Sequence, residues 1–230
     1  MAEKIVVWTH AGQFHADEVS AVALLELYLP NVLGWVREFE NPIINPDSFY
    51  WNFVDNSINA EFKGGDMDRE KEENITLLAV DVGREFDGVT KFDHHHDPKL
   101  EAACVLIGEW LVSLGHLRKE IWDMMYRGMF QYMSEVDRGI IPGGGDSHAI
   151  NALIRNLNCP EKENDAFLDA VELVKTLIKG AHRNISQALA EDKNWDGFKK
   201  HQGVVEMGDK KCRRWKMFAS KEDIKYAVCI

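Results

Sequence analysis

The sequence has no long apolar run and no recognisable leader, which argues against membrane-spanning and secreted proteins. No segment approaches the roughly 20 apolar residues that a transmembrane helix needs. At the N-terminus, residues 1–4 lead directly into the apolar residues 5–8, which is unlike a signal peptide. We therefore expect a cytoplasmic protein with no membrane partner.

Cysteines are few and scattered. The four of them stand far apart and form no C-x-x-C pair. A cysteine-based zinc site therefore has no support, and disulfides are not expected in a reducing compartment. Cys104 lies in the apolar residues 102–106, which is typical of a free cysteine packed in a core.

Basic residues are outnumbered by acidic ones. The chain has 27 Lys and Arg against 38 Asp and Glu, a formal net charge of −11. This charge argues against a broadly basic nucleic-acid-binding protein. A local anion site is still compatible with it, because bound divalent cations would reverse the sign where they bind.

Strand-like and helical patterns alternate in the first part of the chain. The apolar residues 5–8 and 75–82 predict strands, and a shorter strand ends at residues 91–92. Residues 17–29 have helical spacing, whereas residues 41–73 are polar and mixed, which favours an irregular excursion. The alternation predicts an α/β domain with a mostly parallel sheet over residues 1–140.

The second part of the chain is predicted to be largely helical. A helical segment with C-terminal strands over residues 141–230 is expected, with an incomplete second domain as one interpretation. Gly180 is a candidate helix break. Apolar spacing predicts four helices from residue 100 onward, at residues 100–114, 119–136, 147–157 and 164–189. Strand-like runs follow at residues 204–205, 215–218 and 224–230.

Histidines and aspartates are concentrated just after the predicted strands. One group follows the first strand, Asp81 ends the second, and the run Asp93-His94-His95-His96-Asp97 follows the third. Ligands bind at the carboxyl ends of strands in open α/β sheets, so these side chains can converge. The first group consists of His10, His15 and Asp17.

Each of these residues alone has an ordinary structural interpretation. A single histidine could be a hydrogen-bonded loop residue, Asp81 could be a helix cap, and the histidine run could be a surface tract. Three such groups at strand ends are better explained by metal binding. Mixed imidazole and carboxylate ligands suit manganese, cobalt, iron or zinc, and pairs of such ions suit phosphoester cleavage.

The motifs resemble those of the DHH phosphoesterase superfamily. The sequence reads Thr9-His-Ala-Gly-Gln-Phe-His15-Ala-Asp-Glu18, then Val80-Asp-Val-Gly83, then Phe92-Asp-His-His95. It is most similar to the melanocyte-proliferating-gene branch, long labelled metal-dependent protein hydrolases, which reads T-H-x-G-x-F-H-x-D-E, V-D-V-G and D-H-H-Q. Activity as a 3′→5′ RNA exonuclease is known in that branch. A fourth superfamily motif, an aspartate after a helix, is matched by Asp137.

The resemblance implies a division of roles. His10 and His15 would bind one metal ion, Asp17, His94 and Asp137 would bind the other, and Asp81 would bridge them. His95 would face the scissile phosphate as a donor or general acid, and Asp93 would orient a histidine ligand. The implied cofactors are two divalent ions, with Mn²⁺ first among them, and the implied substrate is RNA or a nucleotide.

Departures from the branch pattern leave other functions open. His96 stands where the branch has glutamine, and the continuation expected after residue 226 is missing. The chain would then be a short member, a fragment, or a homo-oligomer whose substrate wall comes from a partner subunit. The alternatives to an exonuclease are a small-molecule nucleotide phosphatase or phosphodiesterase, and a metal-binding protein without turnover.

Two weaker signals have two interpretations each. The glycine-rich residues 142–147 could bind phosphate before a helix or link two parts of the chain. The basic residues 199–201 and 210–216, with Trp215, could hold a nucleic-acid strand or form a solvated strand edge.

Overall fold

A computed structural model describes residues 4–37, 50–51, 75–142, 150–201, 204–207 and 226–228, together with residues 218, 220 and 222. The chain divides into two compact units, Met1–Ile178 and Lys179–Ile230. The predicted boundary near residue 140 falls inside the first unit. Most of the predicted excursion over residues 41–73 lies outside the described residues.

The first unit contains a five-stranded sheet. Its strands are β1 (Lys4–Thr9), β2 (Val32–Arg37), β3 (Tyr50–Trp51), β4 (Ile75–Val80) and β5 (Lys91–Phe92). Their order in space is β3-β2-β1-β4-β5. The strands β2, β1, β4 and β5 are parallel, and β3 is an antiparallel edge strand. The predicted α/β class with a mostly parallel sheet is therefore confirmed, although β2 was not predicted.

Helices follow in the order that the apolar spacing predicts, with different bounds. They are α1 (Ala16–Tyr28), α2 (Ala103–Ser113), α3 (Lys119–Met125), α4 (Gln131–Asp137), α5 (Ile150–Arg155) and α6 (Glu163–Asp196). The helix predicted over residues 119–136 is interrupted by a π-helical turn at Tyr126–Phe130, where the Gln131 N–H reaches back to Tyr126 O. The predicted break at Gly180 is wrong, because α6 continues through it.

The core of the first unit lies on both faces of the central strand. Val6 and Val7, which point to opposite faces of β1, are both fully buried. On one face α1 packs against α2, and all residues from 16 to 25 are buried. This enclosure fits the mostly apolar sequence of α1 between Val19 and Leu25. Cys104 is buried in α2, as predicted.

The second unit is small and has its own core. It contains a three-stranded sheet of β6 (Lys199–His201), β7 (Val204–Glu206) and β8 (Tyr226–Val228), in that order. Trp195, Val205 and Met207 form its buried centre. The strands predicted at residues 204–205 and 224–230 correspond to β7 and β8, and most of the run at 215–218 lies outside the described residues. Within the described ranges, no helix combines the length and apolar character that a bilayer crossing requires.

Candidate metal centre

Three predicted site residues directly follow parallel strands at one edge of the sheet. His10 follows β1, Asp81 follows β4, and Asp93 follows β5. Carboxyl ends of parallel strands meet at the same edge, and this is where α/β proteins bind ligands. The edge is completed by the first turn of α1 and the last residue of α4, which supply Asp17 and Asp137.

The loop after β1 and the start of α1 bring two histidines beside a glutamate. His10 Nε2 lies 3.1 Å from Glu18 Oε1, and the His10 and His15 ring centroids are 6.0 Å apart. Glu18 is fully buried, and its Oε1 accepts a hydrogen bond from the His15 backbone N–H at 2.6 Å. Its Oε2 has no hydrogen-bond partner among the described residues. These three side chains could hold a metal ion.

A second group lies where α1, α4 and the loop after β5 meet. His94 Nε2 is 3.2 Å from Asp137 Oδ2, and His94 Nδ1 is 3.9 Å from Asp17 Oδ2. Asp17 is held in place by α2, because its two oxygens accept the Ala103 and Cys104 backbone N–H groups at 2.8 and 2.7 Å. Asp17, His94 and Asp137 could also hold a metal ion.

Asp81 lies between these two groups. Its Oδ2 is 3.7 Å from His10 Nε2, and its Oδ1 is 3.7 Å from His94 Nδ1. The residue adopts the left-handed conformation with φ 53°, which aspartate tolerates better than most residues. It is buried, and its Oδ1 accepts no hydrogen bond from a described residue. One carboxylate therefore faces both groups of potential ligands.

The loop after β5 contains two neighbouring histidines that differ in their exposure to solvent. His94 is buried, whereas the side chain of His95 is 53% exposed. Asp93 Oδ1 receives the His95 backbone N–H at 2.9 Å and lies 2.7 Å from His95 Nδ1. Asp93 Oδ2 accepts the Arg84 N–H at 2.7 Å. Asp93 thus orients the His95 ring with Nδ1 inward, which leaves Nε2 as the ring nitrogen without this partner.

The carboxylates of the site repel one another electrostatically. Burial, and then the charge of Asp137, raise the pKa of Asp17 to about 7, although hydrogen bonds from Cys104 oppose the shift. Burial also raises the pKa of Asp81 well above its usual value, with further contributions from the charges of Asp17, Glu18 and Asp137. Such a cluster is stabilised by a bound cation.

The pKa values of the two histidines that contact these carboxylates are also raised. Burial alone would lower the pKa of His10, but the hydrogen bond and charge of Glu18 raise it. Burial likewise opposes protonation of His94, yet its hydrogen bond to Asp137 and the charge of Asp17 raise its pKa. In the absence of a metal ion, protons on these rings partly neutralise the acidic cluster.

The sequence-predicted residues come together at one site, with two changes in detail. Asp81, Asp93, His94 and His95 form a further group that could hold a metal ion, so Asp93 and His95 lie within reach of the same cation as Asp81. The residue that sequence reasoning missed as a ligand is Glu18. Its signal was available, because it directly follows Asp17 in the first motif.

The loop that carries His10 and His15 is held by residues distant in sequence. The Arg37 guanidinium donates to Gly12 O at 2.6 Å, pairs with Glu163 at 2.8 Å and lies 4.6 Å above the Phe167 ring. Asn158 Oδ1 accepts the Phe14 N–H, and Asn158 Nδ2 donates to Phe14 O, both at 2.9 Å. The loop is therefore fixed before any ion binds.

The weaker sequence signals lie largely outside the described residues. Residues 143–147 of the glycine-rich stretch and residues 210–216 of the basic stretch are not among them. Lys200 is described: it pairs with Glu222 at 2.9 Å and lies 4.7 Å from the Trp195 ring centroid. This lysine is therefore engaged within its own unit.

Comparisons of the chain with protein-family models, with curated proteins and with solved structures gave no match.

Proposed function

We propose that this chain is a two-metal-dependent phosphoester hydrolase of the DHH type. His10, His15 and Glu18 would hold one divalent ion, and Asp17, His94 and Asp137 would hold the other. Asp81 would be shared by both. Hard carboxylate oxygens mixed with imidazole nitrogens suit Mn²⁺, which is our first choice of metal.

The observation that carries the proposal is the position of Asp81. Its two oxygens face His10 and His94, one from each ligand group, at 3.7 Å in both cases. A structural aspartate would be expected to have its buried oxygens satisfied by hydrogen bonds, yet Oδ1 accepts none from the described residues. A carboxylate shared by two cations accounts for both facts.

We propose a different role for His95 than for the metal ligands. Two bound ions would supply an activated water and stabilise charge on the phosphoryl oxygens. His95 is exposed beside the buried cluster, and Asp93 holds its Nδ1. The free Nε2 can then donate a proton to a phosphoryl or leaving oxygen, as a general acid does. His95 would thus contact the substrate rather than hold a metal ion.

The proposed substrate is a short RNA or single strand degraded in the 3′→5′ direction, which the motif resemblance supports. The test is to incubate the purified protein with Mn²⁺ and end-labelled oligoribonucleotides. Stepwise shortening from the 3′ end, abolished by EDTA, is expected. Cleavage of mononucleotides or cyclic dinucleotides alone would instead indicate a small-molecule phosphodiesterase. No cleavage with two ions bound would leave a metal-binding protein.

A further inference from the structure

A cavity opens directly beside the candidate metal centre. Its volume is about 220 Å³, and its wall includes His15 and Asp137, one residue from each ligand group. Small-molecule sites commonly measure about 300–1,000 Å³, so this cavity is sized for part of a ligand. A ligand bound at the metal centre would extend into it.

Part of the cavity wall is formed by α5, which contributes Arg155. Arg155 lines the cavity and is exposed. Two other arginines close to the centre are neutralised, Arg37 by Glu163 at 2.8 Å and Arg138 by Glu101 at 2.6 Å. Among the described residues the Arg155 guanidinium has no ion-pair or hydrogen-bond partner. A planar guanidinium suits two-pronged binding of a phosphate.

Asn151 also contributes to this wall of the cavity. Asn151 lines the cavity, and its Oδ1 is buried without a hydrogen-bond partner among the described residues. A buried acceptor left unpaired costs about 1–3 kcal/mol, so it indicates a donor that arrives with a ligand. A sugar hydroxyl is such a donor. One helix turn thus presents an anion-binding group and a hydroxyl-binding group to the cavity.

We propose that Arg155 and Asn151 form a subsite for the nucleotide next to the scissile bond. Arg155 binds the neighbouring phosphate, and Asn151 accepts a hydrogen bond from its ribose. This assignment rests on the proposed function, since the metal centre would hold the phosphate that is cleaved. The preferred substrate is therefore a chain with at least two phosphates, and a dinucleotide with a single phosphodiester binds more weakly.

Two diadenylates that differ in one group test the subsite. One carries a 5′-phosphate in addition to its internal phosphodiester, and the other has the internal phosphodiester alone. Arg155→Gln is expected to raise KM for the phosphorylated dinucleotide about tenfold, while KM for the other stays within about twofold. Arg118→Gln, an exposed arginine that does not line the cavity, is the matched control and should change neither.

A binding measurement distinguishes failure of the proposed subsite from failure of the proposed function. Calorimetric titration of both dinucleotides, with Ca²⁺ and under conditions where no product forms, should show the same tenfold selective loss in Arg155→Gln. The role of Asn151 is tested by comparing the phosphorylated dinucleotide with its deoxyribose counterpart. Asn151→Ala should lower the affinity for the ribose dinucleotide toward the affinity for the deoxyribose one. Equal effects of Arg155→Gln on both dinucleotides, or none, would overturn the subsite. If the wild-type protein cleaves neither dinucleotide, the proposed function is overturned instead.

Discussion

Asp81 combines burial, a positive φ and proximity to other carboxylates in a single residue. Asp81→Asn should remove the shared ligand and abolish metal-dependent turnover. The same change should stabilise the metal-free protein at pH 8, because a neutral amide does not repel Asp17 and Glu18. Steady-state turnover with Mn²⁺ and thermal unfolding in EDTA measure the two effects. Asp123→Asn, an exposed aspartate paired with Lys119, should leave both values unchanged.

His95 and His96 are adjacent, and both are exposed, but only His95 contacts the cluster. His95→Ala should lower kcat by about 10²–10⁴-fold, the usual contribution of a general acid, while two metal ions stay bound. His96→Ala should leave kcat near the wild-type value. The readouts are steady-state kinetics and metal content. Loss of a metal ion in His95→Ala would show that His95 is a ligand, and its role would have to be reassigned.

For individual residues, the sequence predicted most members of the candidate site but not every residue that contacts them. Strand-end position and the motifs were enough to select His10, Asp81 and His94. Glu18 and Arg155 were not selected, for different reasons. Glu18 stands within the first motif, close to its partners His15 and His10, and was passed over there. Arg155 reaches the site from a helix more than 130 residues after His15, and this relation leaves no local pattern in the sequence.

Among the structural elements, the loop between β1 and α1 depends on a residue just after α5. Asn158→Ala would remove two hydrogen bonds to Phe14 and leave backbone groups unpaired, at a cost of about 1–3 kcal/mol in the free energy of unfolding. Metal affinity should fall, chiefly at the His10 and His15 group. Chemical denaturation and calorimetric titration with Mn²⁺ measure these changes. Asn156→Ala, at an exposed position nearby, is the control, and an equal loss there would contradict the assignment.

The elements that were predicted correctly have strong local periodicity. β1 and β4 are continuous apolar runs, and α1 is marked by its apolar spacing and acidic first turn. β2 was missed because Gly34 interrupts its apolar run, and the remaining run is too short to be distinguished from a loop. In α6 the helix continues past Gly180, because the helical residues on either side outweigh the roughly 1 kcal/mol that one glycine costs.

For the whole molecule, the acidic cluster links stability to pH. Burial raises the pKa of Asp17 in the folded protein to about 7, from an ordinary value of 3.8 in the unfolded chain. Between these values the folded protein therefore keeps a proton that the unfolded chain loses. The free energy of unfolding of the metal-free protein should therefore fall as pH rises from about 4 to 7. The raised pKa values of Asp81, His10 and His94 act in the same direction.

Urea denaturation in EDTA at pH 5 and pH 8 measures this dependence. We expect the metal-free protein to be less stable at pH 8 by on the order of a few kcal/mol. Adding Mn²⁺ at pH 8 should reverse the loss, by about 2.7 kcal/mol when free metal is 100 times Kd. A metal-free protein that is equally stable at both pH values would contradict the electrostatic account of the cluster.

The central claim is that two cations share Asp81, and anomalous diffraction from crystals soaked in Mn²⁺ tests it most directly. Data collected on either side of the manganese absorption edge locate the ions without reference to any assumed ligand. The account predicts two anomalous peaks, one beside His10, His15 and Glu18 and one beside Asp17, His94 and Asp137, each in contact with one oxygen of Asp81. A single peak held by the histidines alone, with Asp81 bound to none, would contradict it.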